Sequence, residues 1–294
     1  MKTIFVTGAT GYLGRNLIPK LKEYFEVKCL VRKTRHRDEI KNCEIVHGDI
    51  RDKAFLEQAL KNIDVVIHLA AITNTLDESI EDVNVNGTKN LIEACKKNKM
   101  DRFIFISSTA ATKANDPYGK TKKQAEDIII KSKLKYTILR PGVIYSKDSP
   151  NLLNIISINK KIPFFTPIVG DGKYKINPVY INDVISAIIA VINNKKAINK
   201  TYYIVGPNNI EFNEFIDIIN KNLDIKRKKI HIPIWLCMLI AKLLERLIKK
   251  ATITVSTIKA IKTTSFYSIG EAKKDFNYNP IDFKDGILKI KDGI

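Results

Sequence analysis

The 294-residue sequence predicts an α/β fold: a doubly wound parallel sheet with a smaller, mostly helical C-terminal lobe. Three observations carry that expectation. Short apolar runs alternate with helix-period segments through the first 140 residues, the runs show no polar alternation, and a glycine triplet stands between the first run and the first helix. Apolar runs without alternation describe strands buried on both faces, which need helices on both sides of a parallel sheet.

The strand-like runs fall at residues 3–7, 26–31, 44–47, 65–69, 103–107 and 136–140. Helical patterns separate them, ending near residues 24 and 60 and then covering 85–97 and 117–131. After Arg140 the pattern loosens, with prolines at 141, 150, 163, 167 and 178. It recovers in a helix at 182–192 and a strand at 201–205, and turns mostly helical from Pro207 onward. A chain of this length fits one core with an appended lobe. The expected division is a nucleotide-binding domain at 1–149 and 179–206 and a substrate-binding lobe at 150–178 and 207–294, with the substrate between the carboxyl ends of the sheet and the lobe.

The formal charge of +19 invites a nucleic-acid reading, but the lysines are dispersed in pairs such as Lys96-Lys97, Lys195-Lys196 and Lys249-Lys250 and form no basic arm. No nucleic-acid partner is expected. Cys29, Cys43, Cys95 and Cys237 lack CxxC spacing and a histidine cluster, so they read as reduced thiols of a cytoplasmic protein with no metal site. The opening MKTIFVTGATG passes directly into a strand and a glycine loop, unlike a secretory leader. No run reaches the roughly 18 apolar residues that span a bilayer. The stretch HIPIWLCMLIAKLLERLIKK, 231–250, is apolar on every side from Ile232 to Ala241, after which Lys242, Glu245, Arg246 and Lys249 share a helical face. Three readings stay open for it: a helix docked on the core, a lid over an apolar pocket, or a peripheral membrane or partner contact through 235–249.

Gly8, Gly11 and Gly14 sit between the first strand and the first helix. One glycine allows the tight turn, one lets the backbone approach a pyrophosphate, and one lets the helix pack closely on the strand, while the helix N-terminus offers N–H groups to the phosphates. This predicts a dinucleotide site. The second strand ends in Val31, Arg32, Lys33 and Arg35, with no acid before Asp38. A carboxylate there would accept ribose hydroxyls, whereas the planar fork of Arg32 suits a 2′-phosphate, so NADP(H) is favoured over NAD(H).

Ser107 and Ser108 end the fifth run, and Tyr118 and Lys122 follow four residues apart. With 11 Tyr and 41 Lys, one or two such pairs arise by chance, and Tyr24 and Lys28 form another. Position separates them: Tyr118 and Lys122 open a helix, where i and i+4 share a face. A lysine ammonium beside a phenol, together with an oxidised nicotinamide, would stabilise the phenolate, letting Tyr118 move a proton on a substrate oxygen that Ser108 holds. Lys122 would also reach the nicotinamide ribose.

TGATGYLG, VHGDIRD, IHLAA, NVNGTKNLIEA, FIFISS, YGKTK, LRPGVIY, NPVYINDV and the closing SIGEAKKDFNYNPIDFKDGI occur in this order. Together they resemble the extended short-chain dehydrogenase/reductase superfamily, in particular the NAD-dependent epimerase/dehydratase family. The resemblance implies a Rossmann sheet in which Gly8, Thr10, Gly11, Tyr12, Leu13 and Gly14 hold the pyrophosphate. Asp49 and Ile50 would border the adenine, Ala70 and Ala71 the adenosine and phosphates, and the backbone at Pro141 and Val143 the carboxamide. Leu69 and Ser107 join them as cofactor contacts. The family's catalytic Ser/Thr, Tyr and Lys fall on Ser108, with Thr109 as its alternative, Tyr118 and Lys122. Homodimerisation through the helices at 85–97 and 117–131 is usual in the family.

The expected activity is hydride transfer at a carbinol or carbonyl carbon of a small, sugar-nucleotide-like substrate. The serine-to-tyrosine loop, TAATKANDP, is shorter than in most epimerases and dehydratases of the family, and Arg32 resembles NADPH-using reductases. A ketone or alcohol reductase therefore stays open. So does a non-catalytic NADP(H)-binding subunit, because the sequence is also similar to the NADPH-binding subunit of respiratory complex I.

Overall fold

The structure, a computed structural model, describes residues 1–32, 40, 43–100, 102–162, 164–247, 254–261 and 266–290. Its elements run β1 (Thr3–Thr7), α1 (Tyr12–Leu21), β2 (Glu26–Val31), β3 (Glu44–His47), α2 (Lys53–Ala59), β4 (Val65–His68), α3 (Gly87–Lys97), β5 (Arg102–Ile106), α4 (Pro117–Lys131) and β6 (Lys135–Pro141). There follow β7 (Val143–Tyr145), α5 (Pro150–Lys161), β8 (Phe165–Val169), β9 (Lys175–Ile176), β10 (Pro178–Tyr180), α6 (Ile181–Ile192) and β11 (Lys200–Ile204). The chain closes with β12 (Ile210–Glu211), α7 (Phe212–Asn222), β13 (Lys228–Ile232), α8 (Ile234–Leu247), α9 (Val255–Ile261), α10 (Gly270–Phe276) and α11 (Phe283–Ile290). Two compact units result: Met1–Pro141 with Val184–Ile204 and Ile269–Tyr278, and Gly142–Asp183 with Val205–Ser268 and Asn279–Ile294.

The first unit is built on a seven-stranded parallel sheet in the order β11-β6-β5-β4-β1-β2-β3. Every residue of β4 and β5 is buried, as their unbroken apolar sequence requires. On one face Phe5, Val66, Phe103 and Phe105 pack with Leu56, Leu91 and Ile129 from α2, α3 and α4. The chain leaves β1 in one direction and returns at β4 on its other side, so the strand order reverses between these two strands. In open α/β sheets that reversal opens a crevice beyond the strand carboxyl ends, where ligands bind. The helix expected from residue 85 is preceded by one π-helical turn, Asp82–Asn86, which turns Asn84 inward. Segment α10 belongs to this unit: Asp275 accepts hydrogen bonds from Tyr202 (2.6 Å) and Lys200 (2.6 Å) of β11, and Phe276 meets the Tyr202 ring edge-on.

The second unit carries more strand than its sequence suggests. β7 pairs with β10 and β8 with β13 in parallel, and β9 with β12 antiparallel. These strands are two to five residues long and two contain proline, Pro167 and Pro178, so they show no readable period. Phe215 stacks on Phe283 at 4.6 Å, Tyr145 meets Phe283 edge-on at 4.9 Å, and Ile168, Ile216 and Ile287 complete the cluster.

Candidate active site

The site starts from the backbone between β1 and α1. Gly8 has φ +72°, and a Cβ there would lie 2.6 Å from the Ala70 nitrogen. At Gly14 a Cβ would lie 2.4 Å from the Gly8 carbonyl oxygen. Both contacts are to backbone, which cannot swing aside, so no side chain fits at either position. The glycine loop is thereby seated against the chain leaving β4, where the Leu69 N–H bonds the Thr7 carbonyl (3.2 Å) and the Ala70 N–H bonds the Thr7 hydroxyl (3.2 Å).

These two loops wall a cleft of about 240 Å³, into which Gly8, Thr10, Gly11, Arg32, Asp49, Ile50, Ala70 and Ala71 all bring atoms. Tyr12, Leu13 and Gly14 form the first turn of α1 beside it. The sequence reading missed Leu30, Gly48, Ile72 and Val83, which also line the cleft; Gly48 lay within the VHGDIRD stretch, whereas the other three are ordinary apolar residues with no distinguishing signal. A dinucleotide fits this donor set, with N–H groups at a helix start, a glycine cradle closed to any Cβ, and a cation at the end of β2.

Asp49 is less free than its sequence suggests. Its carboxylate accepts from Arg51 Nε (2.9 Å), Arg51 Nη2 (2.8 Å) and the Arg51 N–H (2.9 Å). The hydrogen-bonded Arg51 guanidinium holds its pKa below the usual carboxylate range, and the field of Arg32 adds to this. Arg32 makes no hydrogen bond or ion pair among the described residues and lines the cleft. Lys33, Arg35 and Asp38, the other groups weighed for this strand end, lie outside the described residues, as does Lys249.

Beyond β5 lies the second group. Ser107 is buried, its N–H bonded to the Leu139 carbonyl at 2.7 Å, and its hydroxyl has no partner among the described residues. Ser108 caps the short turn Thr109–Thr112 by accepting the Ala110 N–H at 3.1 Å, which leaves its own proton to donate. Helix α4 starts where Asp116 accepts the Gly119 N–H (2.6 Å) and Pro117 takes the first helical position. That start places Tyr118 and Lys122 one turn apart on α4. The Tyr118 phenol is half-buried, with Ser108 near enough to favour its charged form.

Burial dominates both titratable groups. It pushes the Tyr118 phenol up to about 12, against the neighbouring Ser108 hydroxyl, which favours the phenolate. Burial also pulls Lys122 down to about 7, against the opposing attraction of Glu126. Lys122 is 2% exposed, donates to the Ile106 carbonyl at 2.6 Å and lies 4.1 Å from the Phe105 ring centre. The phenol thus keeps its proton at neutral pH while the lysine titrates there. The Lys122 ammonium, expected to lower the phenol, is not among the causes of its shift, which burial dominates.

A supporting network runs beneath both groups. His68 is fully buried between the Thr7 hydroxyl (Nδ1, 2.7 Å) and the Thr88 hydroxyl (Nε2, 3.0 Å). Burial, with Lys122 nearby, pulls its pKa down to about 3, so it is neutral. Asn84 accepts the Ile72 N–H (2.8 Å), donates to the Ile72 carbonyl (3.0 Å) and donates to the Thr121 hydroxyl (3.0 Å), tying the loop after β4 to α4. Arg140 of β6 forks onto the wholly buried carboxylate of Glu126 of α4 (2.8 and 2.5 Å), fixing helix to strand. Thr7, His68, Asn84, Thr88 and Arg140 fall inside the stretches that carry the family resemblance, whereas Glu126 has no sequence signal beyond standing four residues after Lys122.

Pro141 ends β6 beside Ile204 of β11. Val143 opens β7 in the second unit, its N–H bonded to the Asn177 carbonyl at 2.9 Å.

A reversing parallel sheet, a glycine loop at the reversal and a serine-tyrosine-lysine group beyond the next strand define a dinucleotide-dependent oxidoreductase of the short-chain type. The chain belongs to the NAD dependent epimerase/dehydratase family, whose sequence model matches residues 4–206. It is similar to the UDP-glucose 4-epimerase of Vibrio cholerae, 28% identical over 82% of this chain and 82% of that one. It is also similar to the N-acetyl-alpha-D-glucosaminyl-diphospho-ditrans,octacis-undecaprenol 4-epimerase of Escherichia coli O157:H7, 30% identical over 80% of this chain and 77% of that one. An epimerase structure from Methanothermobacter thermautotrophicus shares the fold at a TM-score of 0.80, with 21% identity, covering 99% of this chain and 91% of that one.

Proposed function

We propose that the protein transfers hydride at a carbinol or carbonyl carbon of a sugar-nucleotide-like substrate, with Tyr118 as its acid/base. The observation that carries this reading is Tyr118 standing one helical turn before the buried Lys122 at the start of α4, with Ser108 capping the turn that precedes this helix. A nicotinamide dinucleotide in the cleft supplies the hydride acceptor and donor. Ser108 has one proton to give, because its oxygen already accepts the Ala110 N–H, and it gives that proton to the phenol oxygen or to the substrate oxygen. Tyr118 rests as the neutral phenol, ready to protonate a carbonyl oxygen. Taking a proton from a hydroxyl needs the phenolate, which a charged Lys122 favours. Lys122, leaving the Ile106 carbonyl, would bond the nicotinamide ribose.

The cofactor reading is NADP(H), carried by Arg32 lining the cleft at the end of β2. The same observation favours a second reading, an NADPH-dependent ketone or alcohol reductase. The first assay is 4-epimerisation of UDP-glucose, the nucleotide sugar of the Vibrio relative, with absorbance at the reduced-nicotinamide band recorded alongside. Epimerisation without net change in reduced nicotinamide is expected, whereas steady NADPH oxidation with simple carbonyl compounds would favour the reductase. In Tyr118→Phe, turnover falls by roughly 10²–10⁴-fold while dinucleotide affinity stays within about twofold. Undiminished turnover in that variant would overturn the assignment of Tyr118.

A further inference from the structure

Helix α8 carries a surface that the catalytic reading does not use. Of its 14 residues only Cys237 and Ala241 are buried, packing with Ile258 and with Ile234, Met238 and Val255. Trp235 is 65% exposed, Leu239 51%, Leu243 59% and Leu247 80%, with Leu236 and Ile240 also open. At the helical repeat these six side chains fall within an arc of about 140°. An open stripe of this kind marks a binding surface, whereas scattered exposed apolar residues do not.

The charges say what covers it. Lys242 and Arg246, both exposed, stand along the Trp235 edge of the stripe. The single acid of the helix, Glu245, faces the other way and accepts the Val255 N–H at 2.8 Å. Lys249 and Lys250 follow in the sequence, and the chain as a whole carries +19. The helix is about 21 Å long, short of the ~30 Å of a bilayer core, and no helix among the described residues is long and apolar enough to cross a membrane. An amphipathic helix with an aromatic and leucine face, basic side chains at its edge and insufficient length to span belongs in the interface plane of an anionic membrane.

We infer that α8 docks the protein on anionic lipid surfaces, with Trp235, Leu239 and Leu243 entering the headgroup boundary and Lys242 and Arg246 meeting the lipid phosphates. The chain has one tryptophan, Trp235, so its intrinsic emission reports this face directly. The full-length protein is mixed with vesicles of phosphatidylcholine alone and of phosphatidylcholine with an equal part of phosphatidylglycerol, and sedimented. The expected result is at least about tenfold stronger partitioning to the anionic vesicles, a blue shift of the Trp235 emission on binding, and release at high salt as the screening length falls from ~10 Å at 0.1 M to ~3 Å at 1 M.

Leu239→Glu with Leu243→Glu changes only exposed side chains, so the protein folds and the binding is lost. Lys242→Glu with Arg246→Glu abolishes the preference for anionic vesicles. Two results would overturn the inference: no sedimentation with either vesicle, or a blue shift that grows with protein concentration in the absence of lipid, which would assign the face to a second copy of the chain. Catalytic turnover plays no part in these readouts, so they stand or fall apart from the proposed activity.

Discussion

The dinucleotide cleft and the serine-tyrosine-lysine group are parts of one unit, yet they are made of different material. The cleft is a backbone construction: Gly8 and Gly14 exist because other main-chain atoms lie 2.6 and 2.4 Å from where a Cβ would be. The serine-tyrosine-lysine group is made of side chains whose charge is set by burial, which moves Tyr118 up and Lys122 down, away from each other. Steric requirements leave residue types in a sequence, whereas desolvation leaves only positions. A substitution at Gly8 or Gly14 should therefore act as an on-off change, and one in the buried network as a graded change with pH.

Gly8→Ala tests the first half of that contrast and has the largest expected effect. Its methyl would require a positive φ and an approach of 2.6 Å to the Ala70 backbone, so the loop must move away from β4. Dinucleotide binding, followed by isothermal titration, should become undetectable. At Gly11 the nearest atom is 3.1 Å away and φ is ordinary, so Gly11→Ala retains measurable affinity. Equal behaviour of the two variants would break the argument that backbone contact, and not glycine content, builds the cleft.

The same contrast explains what was readable beforehand. The strands β1 to β6 lay where their apolar runs stood, because two-sided burial leaves no polar position to confuse the pattern. The glycine loop was readable as a cleft wall for steric reasons, and Asp49, Ile50, Ala70 and Ala71 through the stretches that carry the family resemblance. The place of Tyr118 and Lys122 at the start of α4 was readable too, from the helical pattern at 117–131. Their protonation was not, since no residue type in the sequence records how deeply a phenol is buried. Glu126 was invisible because a buried acid looks like a surface acid until its partner, Arg140, is found 14 residues away across β6. The pairs among β7 to β10, β12 and β13 escaped for another reason, being too short to show a period of two.

The buried network should show the graded behaviour. His68 has its pKa pulled down to about 3 in the folded protein, from an ordinary value of 6.5. A base depressed in the folded state binds its proton first in the unfolded chain, so its contribution to stability is complete above 6.5 and is lost as pH falls toward 3. Between pH 7 and pH 4 this loss is roughly 3 kcal/mol. His68→Gln can still bond Thr7 and Thr88 but does not titrate. Urea unfolding midpoints measured at several pH values should fall less steeply toward acid for this variant than for the parent. Parallel acid limbs would mean that His68 is not desolvated as its threonine cage implies.

Arg32 has the smallest expected effect and most directly links the cleft to the choice of cofactor. It lines the cleft without a hydrogen-bond partner among the described residues, and its field already reaches Asp49. Should it hold a 2′-phosphate, Arg32→Ala lowers NADPH affinity by about tenfold and leaves NADH within about twofold, the loss expected for one charge-assisted contact. Arg32→Asp goes further by offering a carboxylate to the ribose hydroxyls, and reverses the preference toward NADH. Titration of both reduced dinucleotides into parent and variants decides the point. If the parent prefers NADH, or if both affinities fall together in Arg32→Ala, the arginine serves the cleft only through Asp49, and the NADP(H) reading is withdrawn.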